Sequence, residues 1–438
     1  MSVTDNTKVF VLKQIDDVKA YGIKELFRKI GLIKQIIVNA FLDVIAIVPC
    51  LIIRLIAPII IIRIHRVPAS NFGCFAHEVA IYYCKKKFNI EQPNRRYVDL
   101  LYIPNKDKIY NKQLAKMWKR KLIFLPSFLL EPISRVNKLL PGWKKHTINT
   151  LDHMERDIDN YIEKCQPLDF TTDEEIYGKN ILKQFGLIDN DKFVCLAVRD
   201  DAYSKKKISP RFRDWSYQDF RNCDIDNFVP AAEELTKRGY YVFRMGVVVN
   251  KALNSTNPKI IDYARSSLRS DFMDIYLGAK CSFCISTSHG FDAFAYIFRR
   301  PIVILGNPLG DLKTHSEKFL LNTKHCFLKK EKRNLSLSET FSYGLAFASH
   351  KKIYEKSGVE IIDNSPEEIK DMVIEMDEYL KDNKELYKEG EELQKTFKDL
   401  YASNLKRYRH QIPLIRMHGE IRSRYSTQFL KKNRSWLR

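Results

Sequence analysis

The sequence predicts an α/β protein in which two parallel-sheet halves are followed by C-terminal helices. Three observations carry this. Short apolar, β-branched runs alternate with helix-periodic stretches over residues 58–145 and again over 171–330, the pattern of strand–helix–strand units. Two long amphipathic stretches, 366–381 and 385–407, have the helical period with no strand between them. The length, 438 residues, fits two or three domains at roughly 100–200 residues each. Apolar residues make up 45%, enough for packed cores, so a mainly disordered chain is excluded. No fixed-period repeat points to a solenoid.

The first half opens with a strand over 58–64, where a proline precedes a β-branched run. A loop over 67–73 feeds a helix over 74–87. A strand over 97–103, a helix over 111–120, a strand over 122–125 and helical pieces to about 140 follow, and Pro141-Gly142 ends the half. Residues 151–170 are a polar connector. Thr171 then caps a helix reaching Phe185, with Gly186 at its C-terminal turn. Strands are expected over 193–198, 240–244, 281–286 and 302–305, and helices over 225–238, 271–278 and 289–298. These elements divide the chain into a basic, apolar segment (1–57), an N-terminal α/β half (58–150), a connector (151–170), a C-terminal α/β half (171–330), and helices with a basic tail (331–438).

Net charge is +21, which at first suggests nucleic acid or an anionic membrane. Its distribution decides between them. Residues 1–150 hold 26 Lys+Arg and 10 Asp+Glu, residues 151–330 hold 27 and 25, and residues 331–438 hold 21 and 18. The excess therefore sits in the first third. No helix-turn-helix, zinc-finger or RNA-recognition signature accompanies it, so nucleic acid is not an expected partner. The first 35 residues are polar, and no cleavable signal peptide is expected.

Residues 36–62 (IIVNAFLDVIAIVPCLIIRLIAPIIII) are long enough to cross a bilayer, but Asp43 and Arg54 interrupt them and Pro49 and Pro58 break them further. Three readings stand: a spanning helix, a core helix leading into a strand, and a helix lying in the membrane interface. With basic residues on both sides, attachment to an anionic membrane accounts best for the charge. The nine cysteines, odd in number and irregular in spacing, argue against a disulfide framework; Cys281-x-x-Cys284 lacks the second pair a zinc site needs and fits core thiols.

In open parallel sheets ligands lie beyond the carboxyl ends of the strands. There the sequence offers Arg199 and Asp200, then Arg244 and Gly246, then Ser286, Thr287, Ser288, His289 and Gly290, then Asn307. Arginines give bidentate contacts to phosphate, and free backbone amides bind anions, so the set suits a diphosphate. Neither phosphate-binding glycine fingerprint is present, which weighs against P-loop and dinucleotide readings. Each feature also has a plainer role. Ser286–Ser288 suit a helix cap, Arg199 and Asp200 a surface pair, and Arg221 and Asn222 a loop support. Asp224-x-Asp226 resembles a sugar-transferase metal motif but directly precedes a helix, where capping is the simpler role.

The segments LAVRDDAY, DWSYQDFRNCDIDNFVPAAEELTKRGYYVFRMG, DFMDIYLGAKCSFCISTSHGFDAFAYIFRRPIVILGN and SRYSTQFLKKNRSWL resemble a family of glycosyltransferases from bacterial surface-polysaccharide clusters, making capsule or lipopolysaccharide. The resemblance is strongest over 190–310, with weaker matches at 58–125 and the C-terminus. It implies a GT-B-like fold, two Rossmann-like domains facing a cleft, usually without a metal, and no cofactor beyond the nucleotide-sugar substrate. The donor would bind at Arg199, Asp200, Arg221, Asn222, Arg244, Gly246, Ser286–Gly290 and Asn307. The acceptor, lipid-linked or polysaccharide, would meet a first loop bearing Asn71 and Gly73. The family has a Gly-His pair in that loop; here the place reads Gly73-Cys74, with His77-Glu78 three residues on. Glu78, then His77, are the candidate bases, with Asp200 and Asp201 next. The protein would act in the cytoplasm, peripheral on the inner face of the plasma membrane. Two alternatives remain: phosphoglycosyl or polyol-phosphate transfer on the same fold, and a non-enzymatic membrane-associated assembly protein.

Overall fold

The computed structural model describes residues 22–70, 72–104, 109–148, 157–207, 216–288, 290–306, 308–382, 384–411 and 419–438. Two compact units emerge from how the chain packs. One comprises Met1–Val67, Pro93–Asp107 and Leu122–Asn149; the other comprises Pro68–Gln92, Lys108–Lys121 and Thr150–Arg438. In chain order, α1 (Ile23–Leu55), β1 (Ile61–Arg66), α2 (Phe72–Lys87), β2 (Tyr97–Tyr102), α3 (Lys112–Lys121) and α4 (Ser127–Leu139) come first. Of these, α2 and α3 belong to the larger unit, so the expected N-terminal half is shared between the two.

In the smaller unit β1 and β2 run parallel with Arg63 opposite Asp99. Both side chains are buried, and the guanidinium forks onto the carboxylate through Nε at 2.6 Å and Nη2 at 2.9 Å. The Tyr97 ring lies 4.6 Å from the Arg63 guanidinium carbon. The expected third strand over 122–125 is reduced to one parallel bridge, Leu101 to Phe124. Likewise β1 starts later than position 58, because 56–60 continue the end of α1 as a turn, with the Ile60 amide bonded to the Ile56 carbonyl at 2.9 Å. Along α1, Ala46 and Cys50 are buried with Val136 of α4. Most of the helix is nonetheless exposed, which removes the core-helix reading for it.

The larger unit continues with α5 (Tyr161–Lys164), α6 (Thr172–Gln184), β3 (Lys192–Ala197), α7 (Ala202–Lys207), α8 (Val229–Lys237), β4 (Tyr240–Arg244), β5 (Ile260–Ile261), α9 (Asp271–Lys280), β6 (Phe283–Ser286), α10 (Asp292–Ile297), β7 (Ile302–Ile304) and β8 (Phe319–Leu321). Thr171 and Glu174 form the anticipated capping box of α6, and Gly186 and Gly239 take left-handed φ of 87° and 91° just past α6 and α8. After β8 come β9 (His325–Leu328), β10 (Arg333–Asn334), α11 (Leu337–Ser342), α12 (Lys351–Lys356), β11 (Val359–Ile362), α13 (Pro366–Leu380), α14 (Lys384–Arg407), β12 (Arg424–Tyr425) and α15 (Thr427–Lys432). Strands β10, β9 and β11 form a small antiparallel sheet.

Seven strands make one parallel sheet in the order β12-β8-β7-β6-β3-β4-β5. From β3 the chain winds outward to β4 and β5 on one side, then returns to wind through β6, β7 and β8 on the other. That is a doubly wound sheet, and its strands read as continuous apolar runs because both faces are covered. Val194, Leu196, Val242, Ile285 and Val303 pack on Leu235 of α8 and Met372 of α13. On the other face Phe243 meets Phe185 and Phe193 edge-on, both at 5.3 Å. Cys281 and Cys284 are buried beside Cys195, as expected of core thiols.

The C-terminal segment is part of this sheet and not a free basic tail. Tyr425 at its edge is fully buried, and its hydroxyl bonds to the Asn322 side chain at 2.9 Å. Buried Glu375 accepts from Ser426 Oγ at 3.0 Å and from the Thr427 amide at 2.8 Å, closing the start of α15.

Removing one member of a buried ion pair strands the other, at a cost of about 3–5 kcal/mol. Asp99→Ala should lower the denaturant midpoint by that equivalent, and the double variant Asp99→Leu/Arg63→Met should recover most of it. Equal losses in the two proteins would show that the pair's charge is not what matters there.

Candidate functional site

The strand order of the large sheet reverses between β3 and β6, and the crevice beyond their carboxyl ends is the expected ligand position in such a fold. The two strands are tied together at that point. The Thr287 amide donates to the Ala197 carbonyl at 3.1 Å, and the Arg199 amide donates to Thr287 Oγ1 at 2.7 Å. Thr287 is buried, so its hydroxyl is fixed for that bond.

Arg199 extends from this knot. Its Nε donates to Asn222 Oδ1 and its Nη2 to Gln218 Oε1, both at 3.3 Å. No carboxylate pairs with it within 4 Å among the described residues. Burial, and then the positive charge of Arg221 beside it, pull its pKa down to about 10. Arg221 contributes a buried Nε that has no hydrogen-bond partner among the described residues. A third cation stands close by: Lys324, after β8, donates to the carbonyls of Phe220 (2.9 Å) and Asn222 and pairs with Asp363 at 2.6 Å. Gly306, after β7, closes the group; a β-carbon there would meet Lys324 at 3.3 Å and Cys223 Sγ at 3.6 Å, on a backbone with φ of 72°. Burial pushes the Cys223 thiol up to about 11. The structure thus gathers Arg199, Arg221, Asn222, Thr287 and Gly306 with Gln218, Cys223 and Lys324, which the sequence did not single out. Lys324 follows a strand end by the same rule as the others, but β8 is only three residues long and went unread.

The remaining expected residues have other neighbours. Asp200 accepts from the Ala202 amide at 3.0 Å and the Asn250 amide at 2.9 Å, and so organises two turns. Arg244 is 1% exposed and donates to Asp262 at 3.1 Å, with its Nε unpartnered among the described residues. Gly246 has φ of 157°, and a β-carbon there would meet Val249 at 2.7 Å. Ser286 is buried and donates to Asp292 at 3.0 Å, and Asp292 pairs with Lys313 at 3.0 Å. The helix expected from 289 begins only at Asp292, because Ser288 turns left-handed at φ of 57°. Gly290 lies on the backbone of Gly73, 3.7 Å from where a β-carbon would sit. Gly290 and the start of α2 are therefore neighbours within one unit. Asn71, His289 and Asn307 lie outside the described residues. Asp224 caps the turn before α8 through the Asp226 amide at 3.0 Å, and Lys251 bridges both carboxylates at 2.6 Å.

On α2, Glu78 is buried beside Cys74, whose thiol is pushed well above its usual value by burial and then by that carboxylate. His77 is half-buried, with its ring 5.1 Å from that of Tyr296. A pocket opens beside the cations, lined by Phe220, Gly306, Lys324, Cys326, Tyr354 and Trp436. Another, around Phe319, Tyr379 and Arg424, lies at the opposite end of β8, away from the carboxyl ends of the strands.

No family model matches the chain, and no curated protein does. Among solved structures it is similar to E. coli ADP-heptose lipopolysaccharide heptosyltransferase II, with 12% identity over 72% of this chain and 98% of that one and a TM-score of 0.39. It is also similar to a family 9 glycosyl transferase from Veillonella parvula (12%, 57% and 82%, TM-score 0.33). A bacterial iron-containing dodecameric glycosyltransferase from enterotoxigenic E. coli matches with 10% identity over 73% and 76%, at a TM-score of 0.36. At such TM-scores these likenesses carry no assignment for this chain.

Two adjacent guanidiniums that pair with no acid among the described residues are held at a cost to the free protein, as functional sites often are. Arg199→Met, which keeps the apolar stem and removes one charge, should leave the melting temperature of the ligand-free protein equal or a few degrees higher. A fall of several degrees would mean that Arg199 is a structural strut.

Proposed function

We propose that the protein is a glycosyltransferase that binds the diphosphate of a nucleotide-sugar at the β3–β6 crevice. The observation that supports this most directly is the Arg199–Arg221 pair. Two like charges, part-buried and with no carboxylate paired to them among the described residues, though Asp219 lies near Arg199, are relieved further by an anion that takes bidentate bonds from both. The resemblance of residues 190–310 to surface-polysaccharide glycosyltransferases names that anion's class, and the GT-B-like, Rossmann-like reading of the fold goes with it.

In this reading Arg199, Arg221 and Lys324 stabilise negative charge as it grows on the leaving nucleoside diphosphate. They take the part that a divalent cation plays in other transferases. The backbone of Thr287, Ser288 and Gly290, the last next to Gly73, orients the phosphates; α10 has only six residues, so its dipole is a minor contribution. The cavity beside Lys324 and Tyr354 suits the nucleobase. Arg244 and Asp200 act as positioning residues, since both are engaged by their own neighbourhood. The acceptor hydroxyl gives its proton to Glu78, or to His77. It comes on a lipid-linked or polysaccharide glycan at the inner face of a bacterial plasma membrane, where the basic first third of the chain would hold the protein.

A thermal-shift screen with nucleoside diphosphates tests the donor site. A ligand present at 100 times its Kd stabilises the fold by about 2.7 kcal/mol. One base series should raise the melting temperature of the wild type, and Arg221→Ala should abolish the rise; a series that shifts both proteins equally would place the nucleotide elsewhere. With the responsive sugar conjugate, Glu78→Gln should lower kcat by about 10²–10⁴-fold at unchanged donor affinity. Full turnover in both Glu78→Gln and His77→Ala would remove α2 from the chemistry.

A further inference from the structure

Helix α1 has two faces. Gln35, Asn39, Asp43, Ala46, Cys50 and Arg54 follow one another at spacings of three or four, so they share one stripe. The lower part of that stripe is engaged within its own unit. Asp43 accepts from Arg135 Nη2 of α4 at 2.7 Å, Arg54 donates to Asn137 Oδ1 at 2.7 Å, and Ala46 and Cys50 are buried between these polar ties. On the opposite stripe stand Ile33, Ile37, Phe41, Val44, Val48 and Leu55, each between 58% and 80% exposed. The same unit also exposes Ile123, Phe128, Leu129 and Leu139. Contiguous apolar surface of this extent marks an interaction site and not an ordinary solvated surface.

We infer that α1 lies in the plane of an anionic membrane, with the 33–55 apolar stripe in the acyl boundary and the Asp43–Arg54 stripe turned toward α4. A spanning helix is apolar all round or pairs its polar groups with other spanning helices. Here the partner is α4, which carries Glu131, Arg135 and Lys138, and crossing would draw those charges into hydrocarbon. Lys34 is the one cation on the apolar side; it is exposed, and its long stem can carry the ammonium up to the headgroups. Charge complementarity selects lipid over a second copy of the chain. Residues 22–67, 93–104 and 122–148 hold 13 Lys+Arg against 4 Asp+Glu, so two such units face to face would repel, whereas phosphate headgroups attract them. The inference rests on the membrane attachment proposed above and not on the transfer chemistry.

Flotation of the full-length protein with phosphatidylglycerol/phosphatidylcholine vesicles and with phosphatidylcholine alone tests it, combined with tryptophans placed at Ile33→Trp, Phe41→Trp and Val48→Trp. The expected result is flotation with the anionic vesicles, at least ten-fold weaker in Phe41→Glu/Val48→Glu at an unchanged melting temperature. All three tryptophans should be quenched about equally, and most strongly by lipids brominated near the headgroup. Strongest quenching of the Phe41→Trp protein by bromines at the bilayer centre would show a crossing helix and overturn the inference. So would undiminished flotation of the double glutamate variant, or self-association with no vesicle binding. The nucleoside-diphosphate thermal shift, run without vesicles, is unaffected by any of these outcomes, so the two readings can fail separately.

Discussion

Two guanidinium groups, Arg199 and Arg221, stand side by side where the strand order of a parallel sheet reverses. Burial takes away much of the water that would otherwise screen them, and the depressed pKa of Arg199 records the cost. Other features of the crevice serve to keep that arrangement in place. The bond from the Arg199 amide to Thr287 ties β3 to β6, Asn222 and Gln218 orient the guanidinium with neutral oxygens, and Lys324 is pinned by two carbonyls and Asp363. Neutral acceptors fix direction without cancelling charge, and Asp219 nearby offsets only part of it, which leaves much of the field of the pair available to an anion.

Elsewhere the chain treats its cations differently. Arg63 is matched bidentately by Asp99, Arg244 has a single bond to Asp262, and Arg238 Nη1 meets Asp377 and Glu378 at 2.7 Å each. Such matching is what buried charge ordinarily requires. The contrast separates arginines that hold the fold from arginines held for something else. It also explains why Arg244, at a strand end like Arg199, has a positioning role in the proposed chemistry.

Much of this sheet was legible in the sequence. Strands β3, β4, β6 and β7 are unbroken apolar runs with turn residues at their ends, and the Thr171–Glu174 box announced α6. What was not legible is short or nonlocal. Strands β5, β8 and β12 have two or three residues, too few for any period to show, and Lys324 was missed with β8. The basic look of the C-terminal segment hid a packed Tyr425 and Trp436, whose rings lie 4.9 Å apart. In α1 the charges at 43 and 54 looked like interruptions of a span. Only Arg135 and Asn137, more than eighty residues away in sequence, show them to be one polar edge.

The central claim is that Arg199 and Arg221 act on one anion together. Calorimetric titration of pyrophosphate into the wild type, Arg199→Ala, Arg221→Ala and the double variant measures that directly. If both contact the same ligand, either single change should cost nearly as much affinity as the double change, a coupling of at least 1 kcal/mol. Additive losses, or pyrophosphate affinity unchanged by either substitution, would contradict it.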